Sequence, residues 1–184
     1  HDGSSQFSER RREGRRGRRD ADDCPGLGAG RGGAVAPSER ITLGAIGIGG
    51  RGTYVLGCFL EEEDVQFVAI CDVKEARRQA VKERADQKYG NTACAMYRDL
   101  HELLARDDID AVLIATGPNW HALASTLAAK AGKDVYCEKP CTKTIVESLE
   151  LAAAFRRTGR IFQGGMQRRS LPNFEFAADL ALRG

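Results

Sequence analysis

From residue 41 onward, apolar residues come in short runs, each bounded by glycine, aspartate or charged residues, with stretches of helical spacing between them. Residues 41–48 form the first run and end in glycines, which predicts a buried strand. Residues 52–60 suit a helix, and residues 65–71 form a second buried strand. Residues 74–88 combine strong helix formers with charge at helical spacing. Residues 93–97 read as a short strand. Asp99 is placed to cap a helix that carries Leu100, Leu103 and Leu104. Residues 111–115 are a fourth strand, and residues 120–131 an alanine- and leucine-rich helix stopped by Gly132. A fifth strand over 134–137, a helix over 144–157, a sixth strand over 161–165 and a helix over 173–183, ending at Gly184, complete the series. Strands separated by helices require a parallel sheet covered on both faces. The fold class is therefore α/β, a doubly wound parallel sheet of the Rossmann type. Such sheets bind ligands beyond the carboxyl ends of their strands.

The first 38 residues show no such pattern. They are rich in Arg, Gly, Ser, Asp and Ala, with a dense cluster from Arg10 to Arg19. A segment of this composition buries too little apolar surface to offset its ordering entropy, so a disordered arm is expected over 1–38. The chain as a whole has 184 residues and a formal net charge of only +2, which argues against a nucleic-acid partner. No apolar run reaches the ~18 residues of a membrane span. Arg18-Arg19 is followed by Asp20, Asp22, Asp23 and Pro25 rather than the apolar stretch an export signal needs. As written the chain reads as cytoplasmic, or periplasmic if the true N-terminus carries an export signal. The six cysteines, Cys24, Cys58, Cys71, Cys94, Cys137 and Cys141, form no C-x-x-C pair, and four lie within or beside apolar segments. They read as buried free thiols, with no metal site expected.

Directly after the first strand, Gly47-Ile48-Gly49-Gly50-Arg51-Gly52 satisfies G-x-G-x-x-G at the start of a helix. Gly47 permits the tight turn, Gly49 lets a pyrophosphate approach the backbone, and Gly52 lets the helix pack close to the sheet. The helix N-terminus offers unpaired N–H groups and partial positive charge to phosphates. Asp72, at the end of the second strand, is placed to accept hydrogen bonds from ribose hydroxyls and to repel a 2′-phosphate. The cofactor expected is therefore NAD rather than NADP, with Lys74 and Arg77 nearby working against that preference.

Two further strings fall at strand ends on the ligand side: Ala115-Thr116-Gly117-Pro118-Asn119-Trp120-His121, and Ala131-Gly132-Lys133-Asp134-Val135-Tyr136-Cys137-Glu138-Lys139-Pro140. With the glycine turn and the stretch Gly164-Gly165-Met166-Gln167-Arg168-Arg169-Ser170, they resemble the Gfo/Idh/MocA family, the glucose-fructose oxidoreductase and inositol dehydrogenase type. The resemblance runs from about Ser38 to Gly184. It implies that Lys139 is the active-site lysine beside the nicotinamide and the substrate hydroxyl, and that Glu138 lines the nicotinamide ribose. It also implies that Thr116, Pro118, Asn119, Trp120 and His121 belong to the loop over the cofactor. Gln167 and Arg168 would then close the nicotinamide end, and the Lys139–Pro140 peptide is often cis.

Relatives of this kind are about twice as long, with a second α/β domain that supplies the substrate pocket and a further acid/base pair. The expected organisation is an arm over 1–38, an NAD-binding domain over 39–165, and over 166–184 the start of a link to a substrate domain absent from this chain. The implied function is hydride transfer between NAD and a hydroxyl-bearing carbon of a sugar, sugar derivative or cyclitol. Two alternatives stand beside it: an NAD-retaining glycosidase of the same superfamily, and a non-catalytic NAD-binding fragment. The partner is then a small-molecule sugar or cyclitol, with no membrane, and the full-length protein has room to form a homo-oligomer.

Overall fold

A computed structural model describes residues 37–183. The arm expected over 1–38 lies, as far as residue 36, outside the described residues, and so does Cys24. The described part opens with a 3₁₀ turn, Pro37–Glu39, and runs straight into strand β1, Ile41–Ile46. The strand stops two residues before the apolar run does, because Gly47 turns the chain with φ of +72°. Helix α1, Gly50–Glu61, then starts two residues earlier than its spacing predicts, using the glycines themselves as its first turn.

The remaining elements alternate as expected: β2 (Val65–Cys71), α2 (Glu75–Tyr89), β3 (Ala95–Tyr97), α3 (Leu100–Leu104), β4 (Ala111–Ile114) and α4 (Pro118–Lys130). They are followed by β5 (Asp134–Glu138), α5 (Ile145–Thr158), β6 (Phe162–Gly165), a 3₁₀ turn over Gln167–Ser170 and α6 (Pro172–Arg183). Local signals set these boundaries. The Asp99 side chain accepts the His101 N–H at the start of α3. Thr144 and Glu147 form a reciprocal capping box on α5. Pro118 takes the first turn of α4, where a missing N–H costs nothing.

All six strands pair in parallel, in the order β3-β2-β1-β4-β5-β6. The order reverses between β1 and β4, which opens a crevice at the carboxyl ends of those two strands. Helices α1 and α2 cover one face, where Val55, Leu56, Phe59, Leu60, Val81 and Ala85 pack on β1 and β2. Helices α3, α4 and α5 cover the other through Leu103, Leu104, Ala128, Leu151 and Phe155. Because both faces are covered, β4 and β5 are buried along their whole length, which explains the apolar run of β4 and the apolar Val135-Tyr136-Cys137 centre of β5.

Polar residues at the amino ends of the strands fasten the sheet. Asp110 accepts the Thr42 N–H at 3.0 Å, Lys133 donates to the Arg106 carbonyl, and Asp134 accepts the Ile161 N–H at 3.0 Å. At the carboxyl ends the polar residues instead surround open space. Among the described residues no helix is long and apolar enough to cross a membrane.

Candidate cofactor cleft

The glycine turn lies at the switch point, between the ends of β1 and β4. A Cβ at Gly47 would fall 2.3 Å from Thr116 Cγ2, and one at Gly52 would fall 2.8 Å from Ala115 Cβ. Those two glycines therefore let α1 and the loop after β4 close on the sheet. Gly49 and Gly50 differ. A Cβ at Gly50 would meet nothing within 4 Å, and one at Gly49 would meet only Arg77 Nη1, at 3.9 Å. No side chain caps the N-terminus of α1 at Gly49. Open space, a helix N-terminus without a side-chain cap and a neighbouring guanidinium together fit a diphosphate.

Asp72, buried at the end of β2, orders the turn from the other side. Its Oδ2 accepts the Ile48 N–H at 3.0 Å, its Oδ1 accepts the Lys74 N–H at 2.8 Å, and Arg77 Nη1 lies 3.7 Å from Oδ2. The carboxylate lines a hollow of about 580 Å³ with Gly47, Arg77, Thr116, Gly117 and Trp120. Arg98, Asp99 and Glu102, from the approach to α3 and from α3 itself, also line it. Sequence patterning marks Asp99 only as a helix cap and does not single out Arg98 or Glu102, since all three reach the hollow only through the pairing of β2 with β3.

A second hollow, of about 690 Å³, lies on the α1 side of β5 and β6. Lys139, Arg51, Tyr54, Tyr136, Gln167 and Arg168 are among its walls. Glu138 joins its elements. Its carboxylate is buried, Oε1 accepts from Arg51 Nε at 3.3 Å and from Gln167 Nε2, and Oε2 accepts the Lys139 N–H at 3.2 Å. Gln167 also donates to the Tyr136 hydroxyl at 2.9 Å. One carboxylate thus ties together the first turn of α1, the end of β5 and the segment after β6, and Lys139 stands exposed beside it. The Lys139–Pro140 peptide is cis. Sequence reading gives Arg51 and Glu138 as separate cofactor contacts and does not anticipate Tyr136. Only the tertiary fold brings these residues together.

The loop after β4 divides its residues. Pro118, Asn119 and Trp120 are exposed, and Asn119 Oδ1 accepts from Lys143 Nζ at 2.9 Å. His121 is buried. Its ring spans two carbonyl oxygens, Pro140 O at 2.7 Å from Nδ1 and Thr116 O at 3.0 Å from Nε2. It links the loop after β4 to the turn after β5 from inside the protein.

Residues 41–166 match the family model described as the oxidoreductase family with an NAD-binding Rossmann fold, Gfo/Idh/MocA. The chain belongs to this family. It is 35% identical over 130 residues to a glycosyl hydrolase family 109 protein of Solibacter usitatus, a match covering 67% of this chain and 30% of that protein. It is 31% identical over 135 residues to a myo-inositol 2-dehydrogenase of Thermotoga maritima, covering 73% of this chain and 39% of the relative. Among solved structures, a probable dehydrogenase from Thermotoga maritima superposes with a TM-score of 0.69 at 30% identity, covering 78% of this chain and 41% of that one. The chain thus spans less than half the length of the relatives it matches. The fold and the family are those the sequence resemblance implies, and the cofactor of the family is NAD.

Proposed function

We propose that this chain is the NAD-binding half of an oxidoreductase that moves a hydride between NAD and a hydroxyl-bearing carbon of a sugar, sugar derivative or cyclitol. The observation that carries the reading is the position of Lys139. It follows a buried carboxylate that anchors three elements, at the carboxyl end of β5 and beside a hollow wide enough for a small polyol. Bound NAD supplies the hydride acceptor or donor at its nicotinamide C4. The protein does the rest. Gly49, Gly50 and the N-terminus of α1 hold the diphosphate, and Asp72 takes the adenosine ribose. Glu138 fixes the segment after β6 through Gln167 and fixes α1 through Arg51. Lys139 positions the substrate hydroxyl and stabilises the charge that grows on its oxygen as the proton leaves. His121 has its ring committed to two carbonyl oxygens, so in this reading it sets the shape of the cleft and does not touch the cofactor.

The relatives favour a second reading. The glycosyl hydrolase family 109 match supports an NAD-retaining glycosidase, in which the same hydride step is transient and the cofactor is restored. Stoichiometric reduction of added NAD by substrate marks the dehydrogenase, and product formation without net reduction marks the glycosidase.

Both readings place Lys139 at the reacting carbon. In the full-length protein, Lys139→Ala should lower turnover by about 10²-fold or more while NAD affinity changes less than about threefold, because the lysine serves the reacting centre and not the diphosphate. Near-normal turnover would remove Lys139 from the mechanism.

A further inference from the structure

Two cysteines bracket the Glu138-Lys139-Pro140 turn, Cys137 before it and Cys141 after it. Cys137 sits on β5 and registers with Gly164 on β6. Cys141 Sγ packs against that same Gly164, 3.3 Å from where its Cβ would be. Residues paired on parallel strands project to the same face, and neighbouring strands lie about 4.8 Å apart, so both sulfurs share one small volume. Cys141 Sγ also lies 3.9 Å from the Cys137 carbonyl oxygen, and both side chains join the cluster with Leu151, Phe155 and Phe162. Cys137 is buried, whereas Cys141 is half-exposed and opens onto a hollow of about 250 Å³ lined by Ser148, Leu151 and Phe162.

We propose that Cys137 and Cys141 form a peroxide-sensitive dithiol, and that its closure to a disulfide across the turn displaces Lys139. The two thiols differ in the way such a pair needs. The neighbouring Cys137 thiol holds the Cys141 pKa below its ordinary value. The Cys141 sulfur and burial push Cys137 up, and its thiol donates to the Glu138 carbonyl oxygen at 3.4 Å, so it stays protonated. The Cys141 thiolate attacks one oxygen of hydrogen peroxide. The O–O bond breaks, the sulfur becomes a sulfenic acid, and hydroxide leaves and is protonated to water. The Cys137 sulfur then attacks the sulfenic sulfur. The S–S bond forms, the S–O bond breaks, and the departing hydroxide takes the Cys137 proton as a second water. The two sulfurs lose two electrons to one peroxide. Cross-linking ties together the two ends of the span that holds Glu138 and Lys139, and a shift of the lysine is the proposed consequence. The consequence for activity rests on the role of Lys139 proposed above, whereas the cross-link does not depend on that role.

The test treats the full chain with a small excess of hydrogen peroxide, alkylates the remaining thiols under denaturing conditions and maps the tryptic peptides. Both cysteines fall in one peptide, residues 134–143, since trypsin does not cut before Pro140. The expected result is loss of two hydrogens from that peptide without alkylation, reversed by dithiothreitol, while Cys58, Cys71 and Cys94 remain alkylated. Acetylation footprinting in the native state should show a changed reactivity at Lys139 but not at Lys130, restored on reduction. In Cys137→Ala, Cys141 should accumulate as a sulfenic acid that dimedone captures; in Cys141→Ser, Cys137 should remain reduced. Full alkylation of both thiols after peroxide, or a cross-link that leaves Lys139 reactivity unchanged, would overturn the proposal. So would a Cys137→Ala variant that dimedone labels no more than the parent protein.

Discussion

A methyl group at Gly47 would sit 2.3 Å from Thr116 Cγ2 and 2.9 Å from Thr116 Cα, on a backbone with φ of +72°. Neither the left-handed conformation nor the contact with backbone relaxes cheaply. Gly47→Ala should therefore lower unfolding free energy by about 1–3 kcal/mol from backbone strain alone, measured by urea denaturation. Gly50→Ala has open space and should stay within about 0.5 kcal/mol of the parent. Equal losses in the two variants would contradict this division between a structural glycine and a ligand-facing one. The sequence motif already assigns Gly47 to the turn, Gly49 to the pyrophosphate and Gly52 to close packing. It does not name what the two structural glycines meet, because Thr116 and Ala115 lie more than sixty residues further along. His121 illustrates the same limit. Its place in a cleft-side string suggests a cofactor contact, and only the structure shows its ring buried against the Pro140 and Thr116 carbonyl oxygens.

Among the elements, β3 is the short edge strand, and its attachment depends on α2. Lys82 and Asp86 pair at 2.7 Å, Asp86 Oδ1 accepts the Cys94 N–H, and Lys82 Nζ donates to the Thr92 and Cys94 carbonyls. The Lys82 hydrogen bond is the main cause holding the Asp86 carboxyl below its ordinary value of 3.8. A depressed folded-state pKa contributes stability that is present above the unfolded value and lost as pH falls through the folded one. As pH falls below about 4, amide protection at residues 94–97 should drop ahead of that in β1 and β4, and Asp86→Asn should show that lower protection already at neutral pH. Uniform exchange across the sheet would contradict it. The order of the elements was legible because buried parallel strands have continuous apolar runs and the covering helices have helical spacing. The ends of β1 and α1 were less so, since Ile48 is as apolar as the strand it follows and only the φ of Gly47 separates them. Helix α6 starts one residue before its predicted extent, yet Phe174, Phe176, Leu180 and Leu182 are exposed, so its apolar spacing reports a helix without reporting what it packs on.

At the scale of the whole molecule, two hollows flank the glycine turn. One is at the β2 side with Asp72 and the other at the β5–β6 side with Lys139. In the proposed reading, an extended dinucleotide crosses the switch point between them, with its diphosphate on α1 and one ribose at each end. The hollows could not be read from the sequence, because their walls combine residues from both halves of the sheet. The acid at the end of β2 could, since a carboxylate there opposes a 2′-phosphate, while Arg77, 3.7 Å from it, works the other way. Isothermal titration of this chain with NAD and with NADP tests the account most directly. NAD should bind at least about tenfold more tightly, a difference of about 1.4 kcal/mol, and Asp72→Asn should narrow that gap. Equal or tighter binding of NADP, or no binding of NAD, would contradict it.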